Sequence, residues 1–362
     1  MRVLIAGGGT GGHLYPGIAV AEELMRRDGS HIVSFVGTAR GLESRAVPAL
    51  GYGLDLIRSA GLKGKSMRAL VRGLLLLPLS ALDAWQVLSR RRPDVVVGVG
   101  GYSSGPVLLL AAMRGIPTLL MEQNTAPGFT NRRLARFVRA AAVSYAETLS
   151  FFPGTGFVSG NPVRREFLRH AEAVDDAVSP GGAVRVLIMG GSQGARAIND
   201  AVVSAVPLAA ARGSMLAVTH QTGERDLPGV REAYAQAGVT ATVEAFFHDL
   251  DARMRAADIV VARAGASTLA ELTVLGRASV LVPLPTAADD HQRKNARVLV
   301  AAGASEVIDE SDLNGERLAQ VLVALASDAA RRARMASSAR MLGKPDAAAR
   351  VADRIVTLAG SR

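Results

Sequence analysis

Residues 1–13 read Met1-Arg2-Val3-Leu4-Ile5-Ala6-Gly7-Gly8-Gly9-Thr10-Gly11-Gly12-His13. The apolar run Val3–Ala6 is short, with β-branched residues, and it ends on glycine. That reads as a buried strand entering a tight turn. A helical pattern follows over Ile18–Arg27. Strand, glycine-rich turn and helix together open a parallel βα unit. The run lacks the longer apolar core and cleavage site of a signal peptide, so none is expected.

The same order recurs later. Val184–Met189 leads into Gly190-Gly191-Ser192-Gln193-Gly194 and then a helical pattern over Ala195–Ala211. Further strands are expected at His31–Val36, Asp94–Val99, Pro117–Met121 and Ala140–Tyr145. In the second half they are expected at Met215–His220, Thr242–Phe246, Ile259–Ala262 and Ser279–Val282. Helical patterns at Thr268–Leu275 and His291–Ala301 lie among them. The chain breaks its rhythm at Gly160-Asn161-Pro162 and again at Pro180-Gly181-Gly182. We therefore expect an α/β protein of two Rossmann-like, doubly wound domains, residues 1–162 and 163–345, each with a parallel sheet. The end, about Asp328–Leu358, reads as helical with an interruption at Gly343-Lys344-Pro345.

Composition narrows the classes. The 362 residues are 49% hydrophobic and 20% charged, enough chain and apolar content for two cores rather than disorder. Cysteine is absent, which excludes cysteine nucleophiles, thiolate metal sites and iron–sulfur clusters. Residues 1–162 hold 18 Lys/Arg against 9 Asp/Glu, and the remainder 24 against 23. The net charge of +10 thus belongs almost wholly to the first half, which points to a polyanionic partner there. One Trp, five Tyr and no helix-turn-helix, RNP or zinc pattern argue against nucleic acid. An anionic membrane surface remains. No stretch gives about 20 uninterrupted apolar residues, so a transmembrane helix is not expected.

Gly7–Gly12 matches G-x-G-x-x-G, but the acid expected about 20 residues on, at the end of the second strand, is missing. Val36-Gly37-Thr38-Ala39-Arg40 ends that strand and Glu43 comes late. A nicotinamide or flavin cofactor is therefore not expected. The loop keeps its physical content: glycines allow close backbone approach, and the following helix aims its N-terminus at the same point. His13 sits near that first turn. A helix N-terminus disfavours an imidazolium, so a neutral His13 could accept a proton; equally, it could only pack the turn. Gly190–Gly194 offers a second anion-binding turn and lacks the Gly-Lys-Ser/Thr ending of a Walker loop. Asp249-Leu250-Asp251 matches D-x-D, but Asp249 is better read as a helix N-cap. Asp289, Asp290 and His291 read as a solvated helix start, and no metal site is expected.

Arg58–Arg92 is the other informative stretch. Leu70, Leu74, Leu77, Ala81, Trp85 and Leu88 fall on one helical stripe, and Leu75, Leu79 and Leu82 extend it round the helix. That exceeds one core-facing stripe. Arg58, Lys63, Lys65, Arg68, Arg72, Arg90, Arg91 and Arg92 surround it, with only Asp83 opposing. Arg72, Gly73, Pro78 and Asp83 would interrupt a spanning helix. The combination reads as an interfacial segment with a basic collar, to which Arg132, Arg133, Arg136 and Arg139 add. Each cation near an anionic leaflet contributes roughly 1 kcal/mol. The contact residues expected are Leu74, Leu75, Leu79, Leu82, Trp85, Lys63, Lys65, Arg68, Arg72, Arg90 and Arg91.

An ordered set of motifs now stands out. Gly8–His13 is followed by Pro16-Gly17 and Ala19-Val20-Ala21, then by Gly100-Gly101-Tyr102 with Ser104-Gly105-Pro106. Glu122-Gln123-Asn124, Gly160-Asn161-Pro162-Val163-Arg164 and Gly190–Ala195 come next. Gly265-Ala266-Ser267-Thr268 with Glu271, and Asp290 with Gln292 and Asn295, complete it. In this order, over nearly the whole chain, the set resembles the MurG family, the peripheral membrane N-acetylglucosaminyltransferases of peptidoglycan synthesis in glycosyltransferase family 28.

The resemblance implies a GT-B fold, two Rossmann-like domains facing a cleft, with the final helix 346–362 returning to the first. It implies inverting transfer of N-acetylglucosamine from UDP-N-acetylglucosamine to the 4-hydroxyl of lipid I, giving lipid II, with no cofactor. The second half would hold the donor: Ser192 at the diphosphate, Phe247 near the uracil, Ala266, Ser267 and Thr268 beside the diphosphate, and Glu271 on the ribose. Gln292 and Asn124 would position the sugar, and Arg164 would close over the nucleotide. His291 stands beside Gln292 where the family often has another Gln. Thr10, Gly11 and Gly12 would approach the donor from across the cleft. Gly11, Gly12, Gly101, Tyr102 and Ser104 would hold the acceptor diphosphate. His13 is the candidate general base, with Glu122 the alternative. The enzyme would work at the cytoplasmic face of the cell membrane, with other cell-wall synthesis and division proteins as candidate partners. A diacylglycerol-glycosylating relative and a UDP-sugar 2-epimerase are the competing readings.

Overall fold

The computed structural model describes residues 1–59, 67–169, 182–191 and 194–360; the side chains of residues 67–75 also lie outside the description. The chain forms two compact units. One comprises Met1–Arg164 with Lys344–Arg362, the other Arg165–Gly343.

In the first unit, seven described strands form one sheet: β1 (Arg2–Gly7), β2 (Ile32–Gly37), β3 (Gly53–Leu56), β4 (Val95–Gly100), β5 (Thr118–Glu122), β6 (Ala140–Val143) and β7 (Gly156–Val158). Their order is β3-β2-β1-β4-β5-β6-β7 and every neighbouring pair is parallel. Helices α1 (Gly11–Arg27), α2 (Glu43–Ala49), α3 (Met67–Arg91), α4 (Ser104–Met113) and α5 (Phe129–Leu134) connect them. A sheet covered on both faces needs strands apolar on both sides. β4, Val-Val-Val-Gly-Val-Gly, is buried throughout and serves two cores. Val95, Val97 and Val99 pack with Ile5, Leu14 and Ile18 on one face. Val96 packs with Ala84, Leu88 and Leu108 on the other.

The second unit repeats the scheme. Strands β8 (Val184–Met189), β9 (Leu216–Gln221), β10 (Ala241–Glu244), β11 (Ile259–Ala262), β12 (Ser279–Leu281) and β13 (Ser305–Val307) run in the order β10-β9-β8-β11-β12-β13, all parallel. Its helices are α6 (Arg165–Arg169), α7 (Arg196–Ala211), α8 (Leu227–Gln236), α9 (Leu250–Ala256), α10 (Ala266–Leu275), α11 (His291–Ala301), α12 (Gly315–Ser327) and α13 (Ala329–Leu342). After Gly343 the chain returns to the first unit. There α14 (Ala347–Gly360) buries Val351, Ala352, Ile355 and Leu358 beside Val3, Ile5 and Leu24. Arg27 fastens it from α1, donating to Asp353 at 2.6 Å and to the Ala349 carbonyl at 3.0 Å.

Several elements depart from the sequence reading. β3, β7 and β13 were not expected; they are three or four residues long, too short for an apolar run to register. α1 starts at Gly11 rather than Ile18, because burial of Leu14, Pro16 and Gly17 overrides the poor helix propensity of the glycines. The terminal helical tract starts at Asp328 and is interrupted at Gly343, as the sequence reading has it. The Asp328 side chain accepts from the Arg331 N–H at 2.7 Å and so caps α13. α3 runs as one continuous helix through Arg72, Gly73, Pro78 and Asp83.

Candidate functional site

In open parallel sheets, ligands bind beyond the carboxyl ends of the strands where the strand order reverses. The first sheet reverses between β1 and β4, the second between β8 and β11. The glycine loops Gly7–Thr10 and Gly100–Ser103 leave the first pair, and Gly190–Gly194 leaves β8.

At the first switch point the two loops interlock backbone to backbone. Gly7, Gly8, Gly9, Gly100 and Gly101 all have positive φ. The Gly8 N–H donates to the Gly100 carbonyl at 3.3 Å. A Cβ on Gly101 would stand 2.6 Å from the Gly8 oxygen, and one on Gly7 would strike the Gly100 oxygen. Only glycine permits this approach. It delivers the chain into the N-terminus of α1 at Gly11 and Gly12, with Thr10 in the cap position. His13 lies in that first turn. Its ring rests against Gly100, where a Cβ would come within 2.6 Å of the imidazole Cδ2. Its Nδ1 faces the Thr10 hydroxyl at 3.4 Å. The ring is held by the second loop as well as its own.

The remaining first-unit candidates have partners of their own. Tyr102 is exposed and its carbonyl accepts from the Ser59 hydroxyl at 3.0 Å. Ser104 opens α4 and turns its hydroxyl back onto the Gly101 carbonyl at 3.0 Å, bracing the loop. Glu122 ends β5 and is 2% exposed. Its carboxylate accepts from Asn124 N (3.0 Å) and Nδ2 (3.2 Å), Gly128 N (3.1 Å) and Asn131 Nδ2 (2.7 Å). Burial pushes this carboxyl upward, and those hydrogen bonds pull it partly back. So enclosed, Glu122 ties together the loop carrying Asn124. Gln123 ties the same loop to β4 by donating to the Val99 carbonyl at 2.9 Å. The Arg164 guanidinium stacks on Tyr15 of α1, 4.5 Å from the ring centre.

One first-unit residue has a larger role than the sequence gave it. Glu43, 1% exposed, accepts from Gly9 N at 2.7 Å, Thr38 N at 2.8 Å and Thr38 Oγ1 at 3.1 Å. Where a dinucleotide domain aims an acid at a ribose, this carboxylate bonds to its own loop. The sequence signal available was the run of Gly37 and Gly41 around it, which makes room for it.

In the second unit, Ser192 lies outside the described residues, but its neighbours are well placed. Gly191 has positive φ, and Gly194 abuts the Thr222 carbonyl. Gln221, buried at the end of β9, bridges two loops. It donates to the Gly191 carbonyl at 3.3 Å and accepts from the Phe247 N–H at 2.9 Å. The Phe247 ring is itself buried, with the Arg253 guanidinium 4.0 Å from its centre. Behind Gln221, His220 is fully buried between Tyr234 Oη and Asn199 Oδ1, each at 3.0 Å, and burial holds its imidazole down to about 4. Gly265 caps α10, so Ala266, Ser267 and Thr268 form a helix N-terminus and Glu271 sits buried one turn on. Gln292 lies in the first turn of α11 and accepts from the Leu284 N–H at 3.0 Å. His291 beside it engages the Ala288 carbonyl at 2.6 Å. Asp249 stands at the N-cap position of α9, but no cap hydrogen bond forms; its carboxylate accepts from Arg253 Nε at 2.8 Å instead.

The α3 surface differs in detail from the expected stripe. Ser80, Ala84, Val87 and Leu88 face the core. Leu79 (38%), Leu82 (51%) and Trp85 (51%) are exposed at three-residue steps, and Leu77 is exposed too. Trp85 is therefore not a core residue, and Arg114 lies 4.6 Å over its ring. Three further exposed aromatics carry arginines: Phe129 with Arg133, Phe137 with Arg136, and Phe151 with Arg132. Asp83 is not the sole opposing acid: it holds Arg58, while buried Asp55 binds Arg90 at 2.5 Å and Arg91 at 2.7 Å. Those two arginines are anchored to β3 rather than standing as unpaired cations. Lys63 and Lys65, and the side chains of Arg68, Arg72, Leu74 and Leu75, lie outside the description. Among the described residues, no helix is long and apolar enough to cross a membrane.

Comparison with known proteins bears on both units. Sequence profiles of the glycosyltransferase family 28 N-terminal and C-terminal domains match residues 3–143 and 185–351. A Myxococcus xanthus protein is 48% identical over 362 residues, covering 99% of this chain and 93% of its own. It is named UDP-N-acetylglucosamine–N-acetylmuramyl-(pentapeptide) pyrophosphoryl-undecaprenol N-acetylglucosamine transferase. The crystal structure of Acinetobacter baumannii MurG superposes with TM-score 0.79 at 30% identity, covering 98% of this chain and 99% of that one. A UDP-GlcNAc 2-epimerase from Neisseria meningitidis, bound to UDP-GlcNAc, reaches TM-score 0.69 at 14% identity, covering 99% of this chain and 100% of its own. That last likeness concerns the fold alone.

Proposed function

The chain belongs to glycosyltransferase family 28, and from that premise we propose how its two units divide one reaction. It is a hexosyltransferase with the GT-B fold. It moves N-acetylglucosamine from UDP-N-acetylglucosamine to lipid I, making lipid II for peptidoglycan. One observation carries this reading over the epimerase and diacylglycerol alternatives: identity of 48% to the Myxococcus transferase runs through 99% of the chain, and so through both units.

We assign the donor to the second unit. The N-terminus of α10, with Ala266, Ser267 and Thr268, faces the diphosphate together with the Gly190–Gly194 turn. Ser192, outside the described residues, keeps the diphosphate role its motif implies. Glu271 binds the ribose hydroxyls. The Phe247 N–H is held by Gln221, so the main-chain carbonyl is the group we assign to the uracil imide. Gln292 positions the sugar, and Asn124 and Arg164 keep the donor roles that their motifs imply.

The acceptor belongs to the first unit. Its diphosphate meets the N-terminus of α1 at Gly11 and Gly12 and the second loop at Gly101, Tyr102 and Ser104, with Thr10 serving the donor side. The 4-hydroxyl attacks the anomeric carbon as the bond to UDP breaks, inverting configuration. His13 takes the hydroxyl proton. Negative charge grows on the departing UDP, and fixed N–H donors at helix N-termini stabilise it without reorganisation. The exposed Leu79–Leu82–Trp85 face, with Arg114 and the α5 arginines, docks on the anionic cytoplasmic leaflet that carries the lipid acceptor. Other cell-wall synthesis and division proteins would share that surface of the membrane.

The test is transfer of labelled sugar from UDP-N-acetylglucosamine to a lipid I analogue with a shortened lipid, with diacylglycerol in parallel. Label in the lipid I product alone is expected. UDP release without lipid labelling would point to hydrolysis or epimerase chemistry, and label on diacylglycerol would overturn the acceptor.

A further inference from the structure

Glu43 is the most enclosed carboxylate near the first switch point, and the reaction as described gives it no task. It begins α2, yet its side chain reaches back beneath the Gly7–Thr10 loop. Three donors converge on it: Gly9 N on one oxygen, Thr38 N and Thr38 Oγ1 on the other. Three glycines make its chamber. A Cβ on Gly8, Gly37 or Gly41 would collide with the carboxylate or its stem. Among the described residues no cation pairs with this buried carboxylate, and burying it is costly unless it is hydrogen-bonded, so the donors and the carboxylate hold each other in place.

The consequence is directional. The Gly9 N–H turns inward to Glu43, so this loop presents the N-terminus of α1 to a ligand rather than a ring of its own amides. The Gly7–Gly9 run, all at positive φ, is fixed at one end by the Gly8–Gly100 hydrogen bond and at the other by Glu43. The next residues are Thr10, at the N-cap position of α1, and His13, whose ring lies against Gly100.

We propose that Glu43 is a positioning residue for the acceptor half of the transfer: it latches the Gly7–Thr10 loop so that the α1 N-terminus and His13 meet lipid I in working register. This rests on the assignment of the acceptor to the first unit. Glu43 touches no substrate.

The test is Glu43→Gln. An amide has one acceptor oxygen, so its NH2 must confront either Gly9 N–H or Thr38 N–H. Losing a charge-assisted hydrogen bond of this kind should raise KM for the lipid I analogue by about tenfold or more and lower kcat. KM for UDP-N-acetylglucosamine should change no more than about threefold, since Thr10 is the one assigned donor group on the latched loop and most of the others lie in the other unit. Gly41→Ala reaches the same end differently: its φ is ordinary, but its Cβ would displace the carboxylate. It should show the same split. Amide hydrogen exchange read at Gly9 and Thr38 should quicken in both variants.

Equal rises in both KM values would overturn the proposal, because a general loss of structure spares neither substrate. Unchanged acceptor KM and unchanged exchange would also overturn it. Faster exchange in the variants of a protein that makes no lipid product would keep the latch but remove its acceptor role. That separates failure of the latch from failure of the reading beneath it.

Discussion

His13 gains its importance from what surrounds the ring. Gly100 holds it in place, and the first turn of α1 fixes its backbone. As general base it should contribute about 10²–10⁴-fold, so His13→Ala should lower turnover by that much with UDP affinity unchanged. Equal losses in turnover and UDP affinity, measured by calorimetry, would argue for a packing role. Gly100→Ala should act on the same residue from the far side, displacing the ring and straining a positive φ, with turnover falling alongside. Glu122, the alternative base, is bound by four donors and buried. Glu122→Gln should therefore show itself mainly as a stability loss of about 1–3 kcal/mol in urea unfolding. A hundredfold fall in kcat with stability intact would restore it as the base. None of these contacts is visible in the sequence. It shows that His13 follows a glycine loop, not which second loop braces it.

At the scale of elements, α3 is decided by which face the core leaves over. Ser80, Ala84, Val87 and Leu88 satisfy the sheet, and the residues between them point outward. The sequence carried the excess of apolar residues but placed Trp85 and Leu88 on one stripe. The helix meets the core at a different rotation. Replacing Leu79, Leu82 and Trp85 with Ser should reduce co-sedimentation with anionic vesicles. It should change folding stability by no more than about 0.5 kcal/mol, because exposed side chains give up little contact. Unchanged sedimentation would remove this face from the membrane. β9 carries the other element-level prediction. His220 is neutral in the fold down to about pH 4 but takes a proton near 6.5 when unfolded. The unfolded chain thus binds more protons between those values, and stability falls as pH drops through that window. At pH 5 the loss should be about 2 kcal/mol by linkage. The loss should shrink by about that amount in His220→Gln when unfolding is followed from pH 7 to pH 5.

At the scale of the molecule, the notable feature is a chain that leaves its first unit at Arg164 and comes back at Lys344. α14 supplies four apolar side chains to the core that β1 and α1 began. Its amphipathic pattern says that it buries a face, but not which unit receives it. Ile355→Ala should cost the first unit about 2–5 kcal/mol through lost burial and the cavity left behind. UDP should raise chiefly the transition of the second unit, which holds most of the assigned donor groups, by the mass action of a ligand that binds the folded form. Thermal scans with and without UDP would separate the two; loss of the UDP-sensitive transition in Ile355→Ala would contradict this division.

The sequence by itself determined the class of the fold and of the reaction. Strand period, apolar runs and glycine punctuation are local properties, and the order of motifs survives being read as a string. That was enough for two parallel α/β units, a strand–turn–helix at each candidate site, and the split of positive charge. Only the tertiary structure decided which groups spend their hydrogen bonds inward. Glu43 on Gly9, Gln221 between two loops and Asp55 on Arg90 and Arg91 all join residues distant along the chain, while Glu122 turns inward onto its own loop. Such pairings depend on where strands stop and helices turn in three dimensions. A carboxylate's role follows from the donors that reach it, and a sequence does not contain those distances.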